Sequence, residues 1–220
     1  ARALEHAHER GVVHRDIKPA NLLLDAQRKL WITDFGLARR GNDSEMTLSG
    51  DLLGTLRYMS PELARRDHRL VDHRTDVYSL GVTLYELLVC RPAFPEADRR
   101  RLLEQVCLDE PAAPRKLDKT IPVDLETIVL KAIRKDRDDR YPSAQALADD
   151  LERFLQHRPI LAKPPTAAER ALKWSRRHPA GVWSSAIALA AVTLAAVASV
   201  LLINAAYQRE IRQHQEARRL

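Results

Sequence analysis

Hydrophobic residues in this chain recur in short runs and at helical spacing. Apolar runs at residues 22–24 and 30–32 flank a polar stretch, so they predict two strands joined by a turn at residues 25–29. Helical spacing predicts five helices, at residues 3–8, 75–88, 97–108, 123–134 and 143–156. The pattern therefore favours a mainly α (α+β) fold.

Local signals refine these elements. The helix at residues 75–88 is apolar nearly all round, so we expect it to be buried. We expect Thr75 to cap it, Ser143 to cap the last helix and Gly11 to end the first. Two valines at residues 12–13 predict a further short strand. Two segments lack apolar periodicity, a long surface loop at residues 39–51 and a charged turn at residues 136–142.

The longest apolar stretch lies near the C-terminus. Residues 180–206 contain no charged side chain, which exceeds the roughly 20 residues that span a bilayer core. Trp174 and Trp183 near one end and Tyr207 at the other are typical of interfacial aromatics. We expect a single transmembrane helix here, and the alternative is a buried soluble helix. Residues 158–179 form a Pro-rich basic juxtamembrane linker, and residues 207–220 begin a polar helical segment.

Composition narrows the function classes. The chain has 220 residues, a net charge of +6 and 45% hydrophobic residues, enough for one domain with an appendage. Much of the basic charge flanks the apolar stretch, and no platform of aromatic and basic residues is visible, so we expect no nucleic-acid partner. Cys90 and Cys107 predict free core thiols in a reducing compartment. No signal peptide opens the sequence.

Polar residues cluster on either side of the predicted hairpin. Residues 14–21 read HRDIKPAN, and residues 34–36 read DFG. When the two strands fold back on each other, Asp16, Asn21 and Asp34 converge at one mouth of the hairpin. Three oxygen-bearing side chains, together with a nearby lysine, suit a hard cation and a phosphate.

These segments resemble the catalytic loop and the metal-binding loop of protein kinases. The resemblance covers about residues 1–156, and residues 60–62 match the Ala-Pro-Glu motif of the family with serine in place of alanine. It implies a kinase C-terminal lobe with short β-hairpins at residues 1–157, followed by the linker and the membrane helix. It also implies a bacterial receptor-like serine/threonine kinase that uses ATP with Mg²⁺ or Mn²⁺.

The resemblance assigns catalytic roles to particular residues. Asp16 would accept or orient the proton of the attacking hydroxyl, and Asn21 and Asp34 would hold the metal ion. Lys18 lies two residues after Asp16 and would face the γ-phosphate, and a lysine here marks serine/threonine kinases. Leu23 matches a residue that packs under the adenine.

Other matches imply structural or regulatory roles. His14 and Phe35 correspond to stacked apolar positions of the family, Asp76 to the buried aspartate that holds the catalytic-loop backbone, and Thr55 to a threonine that contacts Asp16 and Lys18. Two further residues match a buried ion pair of the family, and these are Glu62 and Arg140.

Arg15 beside the catalytic aspartate suggests regulation by phosphate. A phosphorylated loop residue would pair with its guanidinium and order the loop. Thr47 and Ser49 lie at the spacing of the phosphorylated threonines in similar bacterial kinases, and Ser44 is a weaker candidate. The alternative is that these are ordinary loop hydroxyls.

The sequence departs from the family at its start. It contains no Gly-rich loop, no Val-Ala-x-Lys strand and no regulatory helix glutamate, and those elements would lie before Ala1. We therefore expect this chain to be a part of a larger single-pass membrane kinase and to transfer phosphate poorly or not at all by itself. Its kinase part would be cytoplasmic and its C-terminal end extracytoplasmic. The partners implied are protein substrates, membrane lipid and a second copy for trans-autophosphorylation. Two alternatives are a membrane-anchored pseudokinase-type scaffold or binding module and a small-molecule phosphotransferase.

Overall fold

The computed structural model describes residues 1–35, 52–67, 69–162 and 193–194. The chain divides into two units, Ala1–Pro164 and Pro165–Leu220, and the account below concerns the first. Among the described residues, no helix combines the length and the apolar character needed to cross a bilayer. Apart from residues 193–194, the predicted membrane helix lies outside the described residues, and so does the predicted segment at 207–220.

The described part of the first unit is mainly helical, as predicted, with one small two-stranded sheet. The predicted helices at all five places are confirmed, with ends that differ by one to a few residues. In chain order the α-helices are α1 (Arg2–His8), α2 (Leu52–Leu56), α3 (Pro61–Ala64), α4 (Arg74–Val89), α5 (Arg99–Leu108), α6 (Pro114–Leu117), α7 (Val123–Ala132) and α8 (Ala144–Leu155). Short 3₁₀ helices cover Pro19–Asn21 and Arg137–Asp139. Helices α2, α3 and α6 escaped prediction because four or five residues are too few for a periodic signal.

The predicted hairpin is confirmed with its predicted bounds. Strand β1 (Leu22–Leu24) pairs antiparallel with β2 (Leu30–Ile32), so that Leu22 lies opposite Ile32. The Asp25 carboxylate closes the turn, because it accepts hydrogen bonds from the backbone N–H groups of Gln27 and Lys29 at 2.9 and 2.8 Å. The turn therefore fixes the register that brings the polar residues before β1 and after β2 to the same end.

The predicted strand at residues 12–13 is wrong. The Val12 N–H donates to the Ala7 carbonyl at 3.0 Å and so closes the end of α1. The next N–H groups along, those of His14 and Arg15, donate to the Asp76 carboxylate. A helix end and a carboxylate therefore take up hydrogen bonds that a partner strand would otherwise accept.

Helix α4 lies at the centre of the core and is buried, as predicted. Val77 and Leu80 join a cluster with residues of α1, α7 and α8, whereas Tyr78 and Val82 join a second cluster with α5 and α7. Each fully buried apolar side chain stabilises the fold by about 1.5–3 kcal/mol. Gly81 lets α7 approach closely, since a Cβ there would lie 2.7 Å from the Ala132 Cβ.

Two expectations about single residues are wrong, and one is confirmed. Thr75 does not cap α4, because the helix begins at Arg74 and the Thr75 hydroxyl instead donates to Glu62 at 2.8 Å. Cys90 is exposed at the end of α4 and is not a core thiol. Ser143 does cap α8, since its hydroxyl accepts a hydrogen bond from the Ala146 N–H at 3.1 Å.

Candidate active site

The segment between α1 and β1 is held in place by one buried carboxylate. Asp76, in the first turn of α4, accepts the backbone N–H of His14 at 2.8 Å and that of Arg15 at 2.7 Å. Arg15 has a φ of 66°, a left-handed conformation that costs energy for a side chain of this size. Two hydrogen bonds to a carboxylate stabilise this bend and so fix where the next residue, Asp16, begins.

His8 supports the same carboxylate, and sequence reasoning missed this role. Its Nε2 lies 2.8 Å from Asp76 Oδ2. Because a carboxylate only accepts, Nε2 carries the proton and donates. His8 occupies the apolar face of α1, and a histidine at a core position of a helix was the available signal. Its partner lies 68 residues away, which no local pattern reveals.

Asp16, Lys18 and Thr55 form one connected group. Lys18 Nζ lies 3.0 Å from Asp16 Oδ2 and donates to Thr55 Oγ1 at 2.8 Å. Ile17 between them is fully buried in the core, so in this extended stretch its two neighbours point to the other side. The core thereby holds an acid and a cation next to each other, with Asp16 buried and Lys18 partly exposed.

Asn21, the last residue of the 3₁₀ helix before β1, joins this group. Its side-chain nitrogen donates to the Asp16 carbonyl at 2.8 Å and to Asp16 Oδ2 at 3.0 Å. The side-chain oxygen of Asn21, Oδ1, therefore points away from these two acceptors. The Thr33 N–H donates to the Asn21 carbonyl at 3.0 Å, which extends the hairpin pairing by one residue. Asp34 therefore follows directly after the residue that is paired with Asn21, at the same mouth of the hairpin.

This pair of residues fits a magnesium ion that is bound together with phosphates. The described residues contain no group of three or more His, Cys, Asp or Glu side chains that could hold a metal ion by itself. Mg²⁺ typically takes one or two side-chain oxygens and completes its shell with water and substrate phosphates. Asn21 Oδ1 and the Asp34 carboxylate supply such oxygens, and Mn²⁺ accepts the same ligands.

His14 and Phe35 pack ring against ring across the hairpin. Their centroids lie 4.6 Å apart at 64°, an edge-to-face arrangement. His14 is buried and its Nε2 donates to the Thr33 carbonyl at 2.8 Å. Leu23, on β1 of the same hairpin, leaves 54% of its surface exposed. The hairpin thus offers an apolar surface beside the polar group.

Glu62 and Arg140 form a buried, two-pronged ion pair. Arg140 Nη1 and Nη2 donate to the two Glu62 carboxylate oxygens at 2.8 and 2.7 Å. Burial by itself would raise the pKa of Glu62, but the hydrogen bonds and charge of Arg140, together with Thr75, outweigh it and lower that pKa. Both side chains are almost fully buried, so this pair joins α3 to the segment before α8 and takes no part in an open site.

The regulatory residues are described only in part. Thr47 and Ser49, and the weaker candidate Ser44, lie outside the described residues. Arg15 is described, and its Nε is buried with no hydrogen-bond partner in the described part of the chain. Thr55 is described in the group above.

Tyr58 is a further residue that sequence reasoning missed. With Arg15, Asp16 and Thr55 it lines a small cavity of about 10 Å³. Its hydroxyl donates to Glu86 at 2.7 Å, and burial followed by the Glu86 carboxylate raises the pKa of Tyr58. The signal was a tyrosine shortly after Gly54-Thr55, but its partner lies 28 residues away on α4.

Comparisons with known proteins agree with this geometry. The model of the protein kinase domain family matches residues 1–151. A probable serine/threonine-protein kinase of Streptomyces coelicolor is 43% identical over 160 residues, which are 72% of this chain and 24% of that protein. The serine/threonine-protein kinase PknB of Mycobacterium leprae is 40% identical over 170 residues, which are 76% of this chain and 27% of that protein. The chain thus spans about a quarter of the length of these relatives, and with a family model matched over most of its residues it belongs to the protein kinase domain family.

Proposed function

We propose that this chain is the C-terminal lobe of a bacterial serine/threonine protein kinase, which transfers the γ-phosphate of ATP to hydroxyls of protein substrates. The observation that carries the proposal is the connected group in which Lys18 Nζ contacts both Asp16 and Thr55 while Asn21 binds the same aspartate. The names of the similar bacterial proteins support the same activity.

Each member of the group has a task in phosphoryl transfer. Asp16 accepts the proton of the attacking hydroxyl as the new oxygen–phosphorus bond forms and the bond to the ADP leaving group breaks. Lys18 places positive charge where the transferred phosphate gains negative charge. Asn21 Oδ1 and the Asp34 carboxylate would hold Mg²⁺, which when bound neutralises the phosphate oxygens. Leu23 presents an apolar surface on which the adenine would rest.

The site needs further elements to enclose ATP. A Gly-rich loop that covers the phosphates and a strand lysine that binds them are not among these 220 residues. We therefore propose that these residues alone transfer phosphate poorly and that the full-length protein completes the cleft. The relatives, of which the chain spans about a quarter, are long enough to contain such elements.

The location and regulation of the protein are further proposals. The uncharged run at residues 180–206 and the basic residues that precede it support a single membrane helix with a cytoplasmic kinase part, an extracytoplasmic C-terminal end and contact with anionic lipid. The unpartnered Arg15 Nε supports pairing with a phosphate on Thr47 or Ser49. A second copy of the protein would supply that phosphate by trans-autophosphorylation.

The test compares the full-length wild type with Asp16→Asn. We expect Mg²⁺-dependent transfer of labelled γ-phosphate to a protein acceptor to fall about 10²- to 10⁴-fold, because general-base catalysis is lost. Asp109→Asn, an exposed aspartate at the end of α5, is the matched control and should keep full activity. If the wild type transfers no phosphate, the kinase proposal fails and a membrane-anchored scaffold becomes the better hypothesis.

A further inference from the structure

The chain turns back on itself directly after α8. His157 has a φ of 54°, its N–H donates to the Phe154 carbonyl, and the Arg158 N–H donates to the Arg153 carbonyl at 2.8 Å. These two hydrogen bonds with a left-handed residue between them form a Schellman motif, which reverses the chain at a helix end. Residues 158–162, the first residues of the predicted linker, run back beside α8. The Arg153 guanidinium on α8 donates to the Pro159 carbonyl at 3.4 Å and so connects the returning segment to the helix.

Asp150 on α8 fastens the returning segment. Its Oδ1 accepts the Leu161 N–H at 2.6 Å, and its Oδ2 accepts the Ala162 N–H at 2.8 Å and the Tyr141 hydroxyl at 2.9 Å. The aspartate is fully buried. Burial and then the Asp150 carboxylate raise the pKa of Tyr141, so this hydroxyl remains a donor at neutral pH. A buried carboxylate with three such donors is costly to disrupt, because any group left unpaired loses hydration as well.

The fastened segment belongs to the same apolar core as Ile17. Ala162 is 5% exposed and shares one apolar cluster with Leu4 of α1 and with Ile17, and Ile160 packs against the same cluster. Ile17 is the residue between Asp16 and Lys18. Displacement of residues 158–162 would therefore open the apolar cluster that holds Ile17. Through Ile17 it would shift the neighbouring side chains of Asp16 and Lys18.

We propose that residues 158–162 form a strap, that Asp150 locks this strap to the lobe, and that Asp150 is thereby a positioning residue for the catalytic loop. The activity part of this inference rests on the proposed kinase function, whereas the strap itself does not. All residues after 162 are joined to the lobe through the strap. A change in how the strap is attached would therefore reach Ile17, although the strap does not contact the reacting groups.

Hydrogen–deuterium exchange of the full-length protein tests the strap without relying on catalysis. In Asp150→Asn the amide group no longer provides two accepting oxygens, so the amides of residues 161–162 should exchange at least about tenfold faster. Asp149→Asn is the matched control, because Asp149 is the exposed neighbour whose Oδ1 accepts the Gln145 side chain at 2.6 Å. Equal exchange in the two variants overturns the strap.

Kinetics and amide exchange in the catalytic loop test the positioning role. We expect Asp150→Asn to lower kcat at least about threefold with the KM for ATP unchanged, and to speed exchange at residues 16–18. Tyr141→Phe removes one donor and keeps both backbone hydrogen bonds, so it should show the same changes to a smaller extent and serves if Asp150→Asn does not fold. A freed strap with unchanged kcat and unchanged exchange at residues 16–18 overturns the positioning role. A wild type without kinase activity contradicts the proposed function instead, and exchange at residues 16–18 then decides the positioning role.

Discussion

Two carboxylate–cation pairs in this lobe have the same chemistry and different surroundings. In the pair of Glu62 with Arg140, the side chains are 5% and 0% exposed, and in the pair of Asp16 with Lys18 they are 9% and 22% exposed. The first pair joins segments 78 residues apart, and the second joins residues in a single loop. We call the pair of Glu62 with Arg140 the closed pair and the pair of Asp16 with Lys18 the open pair, because they differ in burial and in the number of hydrogen-bond partners.

The closed pair has no capacity left for a ligand. Besides the two hydrogen bonds to Glu62, Arg140 donates to three backbone carbonyls, through Nε to Arg134, through Nη2 to Lys135 and through Nη1 to Arg74, so all five N–H groups have an acceptor. Lys18 has three ammonium hydrogens, and Asp16 and Thr55 account for two of them. A guanidinium with all its directions used maintains a fold, whereas an ammonium at an open edge is able to meet a phosphate.

The largest expected effect comes from breaking the closed pair. Arg140→Met leaves the Glu62 carboxylate buried without its cation and should lower the free energy of unfolding by about 3–5 kcal/mol in urea titrations. Arg137→Met is the control, because Arg137 pairs with Asp72 at a part-exposed site and should cost at most about 1 kcal/mol. Similar losses in both variants would contradict the distinction between the two pairs.

Removing the cation of the open pair should affect phosphate transfer strongly and stability only a little. Lys18→Met in the full-length protein should reduce phosphate transfer about 10²-fold or more, because charge stabilisation at the phosphate is lost. The same variant should lower the free energy of unfolding by only about 1 kcal/mol, less than Arg140→Met, because Lys18 is more exposed than Arg140 and Asn21 still donates to the Asp16 carboxylate. If Lys18→Met unfolded as readily as Arg140→Met, Lys18 would be structural.

A threonine contacts each pair, so the comparison can be repeated with neutral residues. Thr75→Val removes the hydroxyl that donates to Glu62 Oε1 at 2.8 Å and should cost about 1–3 kcal/mol of unfolding free energy. Thr55→Val removes the acceptor of Lys18 and should lower transfer while leaving stability nearly unchanged. Rescue of transfer by Thr55→Ser would show that the hydroxyl is responsible. A loss of stability at Thr55 equal to that at Thr75 would argue against the division.

Local pattern explains which parts of the fold were predictable. The hairpin and the long helices follow from hydrophobic period and from one turn aspartate, Asp25, whose partners lie within six residues. Asp16 and Asn21 lie five residues apart, so their spacing already places them together. The strand at residues 12–13 failed because the Val12 amide donates to Ala7 and the next amides, those of His14 and Arg15, donate to a carboxylate that lies 62 and 61 residues further along the chain.

Several contacts that escaped prediction join residues far apart in the chain. Tyr58 meets Glu86 across 28 residues, and His8 meets Asp76 across 68 residues. The Thr75 hydroxyl favours Glu62 over a cap for the same reason, since tertiary packing brings a buried carboxylate within its reach. The Asp150 strap needs both a helix end that reverses the chain and a carboxylate at the correct distance along the helix. Neither feature produces a periodic pattern of residues in the sequence.

Acid titration gives the smallest expected effect on the closed pair. The folded-state pKa of Glu62 lies below its ordinary value of 4.5, although burial by itself would raise it, because Arg140 and Thr75 stabilise the charged form. The stability that this pair contributes is therefore complete above pH 4.5 and is lost as the pH falls through the lowered pKa. Glu62→Gln lacks this titration, so the gap in unfolding free energy between wild type and variant should stay constant above pH 4.5 and narrow below it. The slope should be at most about 1.4 kcal/mol per pH unit. A gap that stays constant down to pH 3 would mean that the carboxylate is not held charged by Arg140, and the closed pair would then owe its stability to shape and hydrogen bonds alone.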